Sequence, residues 1–330
     1  MNFQQLRYVQ AAVFNNLNLT GVANILHTSQ SGVSKQIKEL EVELGTEIFV
    51  RRGKRLVATT KAGDEVIAII KKLLTEADNL KSLSDHYRNK NTGRLVIATT
   101  HNQARYVLPE VLQKFTILYP DVKIELRLGT PGYVVDSLLS GTADIGLATE
   151  TLDDHRELEI IPCFSWAHVI AVPPHHPLTR ANRPSLVEIA QYPIITYNEN
   201  FTGRSQIDAA FDRAGVSPDI RLTAMDADII KSYVRQGMGV GIVSEMAMTP
   251  GDDCDFLVAI PGSERFFDPS VTKIAYPRGG LLHNYVTKLI ELFAPQVERH
   301  AASVQAARRI GVPREIPSFL ERRHLLRASA

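Results

Sequence analysis

Residues 27–45, HTSQSGVSKQIKELEVELG, crowd six hydrogen-bonding side chains into about two turns: Ser29, Gln30, Ser31, Ser34, Lys35 and Gln36. Gln30 and Gln36 have the geometry to pair bidentately with adenine, and Lys35 to reach guanine O6 and N7. Ser31 and Ser34 are short enough to allow close approach. A second cluster follows in IFVRRGKRLVATT (48–60), where Arg51, Arg52, Lys54 and Arg55 surround Gly53. Cations grouped in this way suit phosphate oxygens, which position a protein on a duplex without reading its sequence. A third set is mostly neutral. TTHNQA (99–104), with Thr99, Thr100, His101, Asn102 and Gln103, ATET (148–151), with Thr149, and NFTGRS (200–205), with Thr202, Gly203, Arg204 and Ser205, stand where strand-like runs end and helices begin. Helix starts at such points offer free N–H groups and a positive dipole end. Hydroxyl and amide side chains add directional bonds without full charge. The third set therefore suits a small anionic or zwitterionic ligand.

Those side chains need elements to hold them. Phe3, Leu6, Val9, Val13 and Phe14 repeat at helical spacing over 2–15, and Val22, Ala23, Ile25 and Leu26 mark a helix over 19–26. Ser29 is a good N-cap for a third helix, with Ile37, Leu40 and Leu44 expected in its core face. Two short helices, a tight turn and a third helix with a polar leading edge make a helix-turn-helix. Its second helix is the one that enters a DNA major groove. Residues 48–60 read as a hairpin with a basic tip, a wing.

Thr60 is placed to cap a long helix over 61–88. Val66, Ile70, Leu73, Ala77, Leu80, Ser84 and Tyr87 form a heptad seam there, which predicts a partner helix and hence self-association. Ile67, Ile69 and Leu74 widen the apolar face, so the helix is also expected to pack on something else. RNKNTG (88–93) reads as the linker. From residue 94 strands and helices alternate. Strands are expected over 94–99, 122–128 and 143–149, with helices over 103–119 and 133–141. A second series begins at AHVIAVP (167–173). Helices over 185–191, 204–214 and 227–237 then alternate with strands over 193–197, 220–225 and 239–244. The strand VTKIAYP (271–277) and the helix HNYVTKLIELFA (283–294) close the pattern. This is an α/β chain in two halves, and a cleft between two lobes is a natural small-molecule site.

The totals limit the function classes. At very roughly 150 residues per domain, 330 residues suggest two or three domains. Lys plus Arg number 37 against 36 for Asp plus Glu, so any affinity for nucleic acid is local to one region. Cys163 and Cys254 lie far apart with no C-x-x-C, which suits a reducing compartment. MNFQQLRYVQ has no secretory apolar core, and no apolar run approaches the ~20 residues of a membrane span, so a cytoplasmic protein is expected. GMGVGIVS (237–244) has its glycines after a helix and before a strand, the reverse of a dinucleotide fingerprint. They are expected to let the backbone pass close to a neighbour. The histidines of PHHP (174–177) lack further ligands at recognisable spacing. Asp226 and Asp228, near a helix start, fit capping and dipole compensation better than catalysis. Cys163, among Ile160, Ile161, Phe164 and Trp166, is expected to be inert. There is no G-x-S-x-G, P-loop or metal-ligand quartet, so no enzyme activity, cofactor or metal is expected.

TSQSGVSKQIKELEVELGTEIFVRRGKRLVATTKAG, with FQQLRYV ahead of it, resembles the LysR-type transcriptional regulators. The rest looks like that family's periplasmic-binding-protein-like effector domain. IATTHNQARYVLP, ADIGLATE, QYPIITYNENFTGRSQID and TAMDADIIKSYVRQGMGVGIV resemble its CysB-like group, whose members control sulfur assimilation. Resemblance extends to about residue 300. It implies an N-terminal winged helix-turn-helix over 1–60, a linker and dimerisation helix over 61–93, and a two-lobed α/β effector domain over 94–330. Lobe I would span about 94–163 and 268–300, lobe II about 164–267, with a tail at 301–330. It also implies a dimer or tetramer that binds promoter DNA, with RNA polymerase a candidate partner. The implied effectors are O-acetylserine, N-acetylserine, sulfate or thiosulfate, held by Thr100, Asn102, Gln103, Thr149 and Thr202. Asn102 stands where relatives have Thr, Ser31 where Pro is frequent, Lys35 where Arg is frequent, and Lys61 where Pro is usual. Lys lacks the guanidinium fork, so guanine reading through Lys35 should be less sharp. The alternative is a solute-binding protein or enzyme of the same fold with an incidental helical N-terminus. Steep salt dependence of promoter affinity separates the two.

Overall fold

The computed structural model describes residues 1–53, 55–87, 91–181, 183–199, 201, 203–248, 256–294 and 316–328. By contacts the chain divides into two units, residues 1–90 with 279–283, and residues 91–278 with 284–330.

The first unit opens with α1 (Phe3–Phe14), α2 (Leu19–Ile25) and α3 (Gln30–Leu44). Each start is capped by a side chain that sequence places there. Asn2 and Gln5 form a reciprocal capping box, Asn18 accepts from Thr20 and Gly21 N–H, and Ser29 accepts from Gly32 N–H at 3.1 Å. Leu6, Val9, Ala12, Val22, Val33, Ile37 and Leu40 meet in one core. Leu44, expected there, is exposed, because α3 ends beside it at Gly45 in a left-handed turn (φ 67°) and Val33 fills the inward position. The wing is the antiparallel pair β1 (Phe49–Arg52) and β2 (Arg55–Thr59).

Thr60 caps α4 (Lys61–Tyr87) as expected, accepting from Gly63 N–H at 2.8 Å. A Cβ on Gly63 would stand 2.0 Å from Ile48 O, so only glycine lets this first turn lie against the wing's base. The heptad seam needs correction. Ile70 is buried with Ile67 and Leu74 in the unit's own core, while Ile69, Leu73 and Leu80 are 57%, 42% and 71% exposed. The outward stripe is thus Ile69, Leu73 and Leu80, because the domain core claims the face through Ile70 first. The side chains of Ser84 and Tyr87 lie outside the described residues.

The second unit holds two five-stranded sheets. Its chain order is β3 (Gly93–Thr99), α5 (His101–Tyr106), α6 (Leu108–Leu118), β4 (Val122–Leu128), α7 (Pro131–Leu139), β5 (Ile145–Ala148) and β6 (Leu158–Trp166). Then come β7 (His168–Val172), α8 (Leu186–Ile189), β8 (Ile194–Tyr197), α9 (Arg204–Arg213), β9 (Ile220–Ala224), α10 (Ala227–Arg235) and β10 (Val240–Ser244). Last are β11 (Val258–Ala259), β12 (Ser270–Pro277), α11 (Asn284–Phe293) and α12 (Phe319–Ala328). Sheet I runs β4-β3-β5-β12-β6 and sheet II β11-β7-β10-β8-β9. In sheet I the neighbours β4, β3 and β5 are parallel and β12 is antiparallel to β5 and β6. The chain passes from sheet I to sheet II at Ala167 and returns before Ser270.

Three elements differ from expectation. The helix expected over 103–119 is two helices broken at Val107, because Pro109 has no N–H to donate and its ring crowds the carbonyl four residues back. β6 has no counterpart among the expected elements. Pro162 interrupts its apolar run, and the ladder slips a residue there. The tail also carries structure. Ser318 and Glu321 form a capping box for α12, whose Phe319 and Leu326 are buried. Arg322 is buried over the Phe164 and Phe293 rings and donates to Phe293 O at 2.8 Å. Ser165 N–H donates to Pro317 O at 2.8 Å, so this segment covers the outer edge of β6.

Candidate functional site

The polar edge of α3 is open. Ser29, Ser31 and Lys35 are exposed, and Gln30, Ser34 and Gln36 half-buried. Ser29 Oγ lies 3.2 Å from Ser31 Oγ, and Gln36 Nε2 donates to Glu39 at 3.0 Å. Lys35 and Glu39 form a 3.8 Å ion pair at the surface, of a kind worth little.

Behind this edge is a charged strut that the sequence did not announce. Glu41 is buried, and its Oε1 accepts the N–H groups of Ile48 (3.0 Å) and Phe49 (3.1 Å). Its Oε2 accepts from Arg51 Nη2 at 3.1 Å, and Arg51 Nη1 donates to Ser34 Oγ at 3.3 Å. Arg51 was expected to reach phosphate. Its guanidinium instead ties the wing to α3, because the carboxylate beneath it must be paired once buried. Arg52 and Arg55 are exposed on the same hairpin, while Lys54 lies outside the described residues.

Of the mostly neutral third set, Thr100, Asn102, Gln103 and Thr149 lie just past the C-terminal ends of β3 and β5, parallel neighbours in sheet I. Thr100, nearly buried, precedes α5 in extended conformation and makes no side-chain cap bond. Asn102 and Gln103 are each 1% exposed. Asn102 Nδ2 donates to Tyr197 Oη (3.1 Å) and Ser244 Oγ (3.4 Å), both at strand ends of sheet II. Gln103 Nε2 donates to Thr272 Oγ1 at 2.8 Å, which also accepts from Trp166 Nε1 at 3.1 Å. Asn102 Oδ1 and Gln103 Oε1 are buried with no hydrogen-bond partner among the described residues. Thr149 is half-buried at the end of β5, and Thr202 lies outside the described residues. The helix after ATET is only a short 3-10 turn, Leu152–Asp154, so that junction supplies no long helix start.

Opposite this cluster stands His168, edge-on to the rings of Trp166, Tyr197 and Phe267. Gly203, left-handed at φ 65°, packs so closely that a Cβ would come within 2.8 Å of His168 Cε1 and 3.1 Å of Ser270 Oγ. Glu150 adds a carboxyl to an otherwise neutral group. Burial raises its pKa, opposed by its own and Gly203's backbone N–H and by Lys273. Tyr197, Ser244 and Glu150 all sit at or just past strand C-termini, where α/β sheets place their ligands. That rule could have found them.

A second set of bonds joins the sheets beside α5. Tyr106 Oη donates to Asp228 Oδ1 at 2.5 Å and Arg105 Nε to Oδ2 at 3.1 Å. Lys231 Nζ lies 3.0 Å from Asp228 and donates to Ala247 O at 3.1 Å. Burial works to raise the Asp228 carboxyl, but hydrogen bonds from Tyr106 and Lys231 hold it below its ordinary value. Burial and the bond to Asp228 push the Tyr106 hydroxyl up. Asp226 caps α10 as expected, accepting from Ile229 N–H at 2.9 Å. Asp228 does not serve only the helix dipole, as expected from sequence, but is the centre of this cluster.

Other motifs fall into place. A Cβ on Gly239 would meet Pro193 O at 2.4 Å and one on Gly241 would meet Val234 at 2.8 Å, so these glycines permit close passage. Cys163 is buried, and burial pushes its thiol up to about 12. No helix among the described residues is long and apolar enough to cross a membrane.

Comparison with known proteins gives two family matches. Residues 3–64 match the bacterial regulatory helix-turn-helix protein, lysR family, and residues 88–298 the LysR substrate binding domain. The chain is 50% identical over 297 residues to the HTH-type transcriptional regulator SsuR of Burkholderia cenocepacia, covering 90% of this chain and 96% of that one. It is 44% identical over 299 residues to the HTH-type transcriptional regulator CysB of Haemophilus influenzae, covering 91% and 92%. Among solved structures, the cofactor-binding domain of the Cbl transcriptional regulator is 41% identical, with a TM-score of 0.59. That match covers 65% of this chain and 91% of that one.

Proposed function

The chain belongs to the LysR family of transcriptional regulators, and from that premise we propose that it controls genes of sulfur acquisition in response to a small effector. Residues 1–60 read promoter DNA, 61–93 mediate self-association, and 94–330 bind the effector. The observation that carries the effector reading is the buried polar group at the ends of β3 and β5. Thr100, Asn102 and Gln103 are all nearly or fully buried there, against Tyr197, Ser244 and Thr272 of other strands. Unsatisfied polar atoms in a core are costly, so their concentration between two sheets marks a place where a ligand's N–H or O–H supplies the bonds that Asn102 Oδ1 and Gln103 Oε1 lack. O-acetylserine, N-acetylserine, sulfate and thiosulfate are the candidate effectors.

For DNA, the polar edge of Ser29, Gln30, Ser31, Lys35 and Gln36 supports base reading, with Arg52 and Arg55 on phosphates. The outward stripe of α4 supports a dimer or tetramer, which suits two half-sites. The effector acts by preferring one arrangement of the two sheets over another; equal affinity for both would change nothing.

Titration of the purified protein with the four candidates, with a promoter fragment present, tests this reading. At least one effector should shift the footprint or bend angle, and log affinity for DNA should fall linearly and steeply with log salt. A flat salt dependence would sink the DNA reading. Footprints identical with and without all four compounds would sink the effector reading.

A further inference from the structure

β5 ends at Ala148, and two residues later stands Glu150, with uncharged Gly203 beside it and the Lys273 cation near enough to oppose the rise in its pKa. Its Oε1 is buried and has no hydrogen-bond partner among the described residues. The next residue, Thr151, is β-branched yet left-handed, with φ 72°. That conformation is strained for a β-branched residue, and such strain persists only where its surroundings over-determine it. Here the turn is closed by Leu152 N–H on Glu150 O at 2.8 Å. Across from it, Gly203 supplies a backbone N–H to the carboxyl and packs on His168 and Ser270. Ser270 Oγ is a second buried polar atom with no partner among the described residues. Ser270 leads by two positions on β12 to Thr272, which accepts from Gln103. Glu150 therefore belongs to the same buried group as the residues assigned to the effector.

A carboxylate at that place treats two kinds of ligand oppositely. Against a bare oxyanion a few ångströms away it is repulsive. Against an ammonium it forms a charge-assisted hydrogen bond, stronger than a neutral one. The Thr100 hydroxyl, which makes no side-chain cap bond, is left as a donor for the ligand's anionic end.

We propose that Glu150 is a specificity-determining residue of the effector site, its Oε1 accepting a hydrogen bond from an ammonium group, so that the site selects a small zwitterion over an inorganic oxyanion. This rests on the reading that the buried group between the sheets binds the effector.

Calorimetric titration of the full-length protein tests it with O-acetyl-L-serine, its desamino analogue 3-acetoxypropionate, sulfate and thiosulfate. The unaltered protein should bind O-acetyl-L-serine about tenfold or more tighter than 3-acetoxypropionate, the value of one charge-assisted bond. It should also prefer it to both inorganic anions. E150Q, its folding checked by thermal melting, should lose that preference and bind sulfate or thiosulfate better than the parent does. Equal binding of O-acetyl-L-serine and its desamino analogue by the unaltered protein overturns the proposal even if E150Q misfolds. So does a folded E150Q with the parent's ranking, which would leave Glu150 only a tie to Gly203. If none of the four compounds binds, the effector reading falls and this proposal with it. If all bind and the inorganic anions win, only the role of Glu150 falls.

Discussion

Arg51 and Arg55 carry the same charge on one hairpin but face different surroundings. Arg51 sits between the buried Glu41 carboxylate and Ser34, whereas Arg55 is exposed. Removing the Arg51 side chain leaves a buried carboxylate oxygen short of a partner, a loss of about 1–3 kcal/mol. Arg51→Ala should therefore lower the melting temperature of the N-terminal unit. Arg55→Ala should leave melting unchanged and reduce the slope of log affinity against log salt by about one. If Arg51→Ala melts like the parent and only softens the salt slope, Arg51 is a phosphate contact after all. The residue types were readable from sequence; their engagement was not. Glu41 looks like one more acid on an amphipathic helix, and only the approach of the chain at Ile48 and Phe49 buries it. Glu150 was equally visible in ATET, but its weight comes from Gly203 of the other half of the chain.

Elements were legible in period more than in phase. The caps at Ser29 and Thr60 and the apolar spacing of α1 to α4 led to the right helices, because those signals are local. The heptad seam of α4 holds at Leu73 and Leu80, which face outward, and fails at Ile70, which turns into the core. A 3.5-residue and a 3.6-residue repeat diverge by only ~20° per heptad, so spacing alone does not say which face the domain core takes. Burial says it: Ile67, Ile70 and Leu74 point inward, and Ile69, Leu73 and Leu80 outward. The double substitution Leu73→Asp with Leu80→Asp should thus shift the protein to a smaller species in light scattering, with its melting little changed. Ile70→Asp should instead unfold the N-terminal unit by burying an unpaired charge. Should the double variant keep the parent's mass, self-association uses another surface. β6 and the break at Val107 escaped notice for a shared reason. In both, a proline disturbs a local pattern whose resolution depends on which strand or helix lies alongside.

At the scale of the molecule, the two-sheet topology gathers strand ends into the proposed effector site and supplies a way to bias it. α5 lies at the centre of both. Its Asn102 and Gln103 reach buried partners, and the adjoining Arg105 and Tyr106 grip Asp228 of α10. Bonds between the sheets favour the arrangement in which both halves of the effector group are together. An effector that touches both halves prefers that same arrangement, so any loss of its population weakens apparent affinity in proportion. Tyr106→Phe removes one hydroxyl bond to Asp228 and keeps the ring beneath Lys231, which lies 5.2 Å from its centroid. A hydrogen bond to a charged group is worth about 1.5–3 kcal/mol, of which only the part that differs between arrangements reaches the effector. Tyr106→Phe should therefore weaken effector binding by about fivefold to tenfold, near 1–1.4 kcal/mol. Promoter affinity measured with saturating effector should recover to the parent's value, since excess ligand restores the population. Calorimetry of the effector and footprinting at saturation read the two quantities separately. Unchanged effector affinity would mean that the Asp228 cluster holds α5 in place without coupling to the site. A promoter defect that persists at saturation would mean that it holds the effector domain itself together.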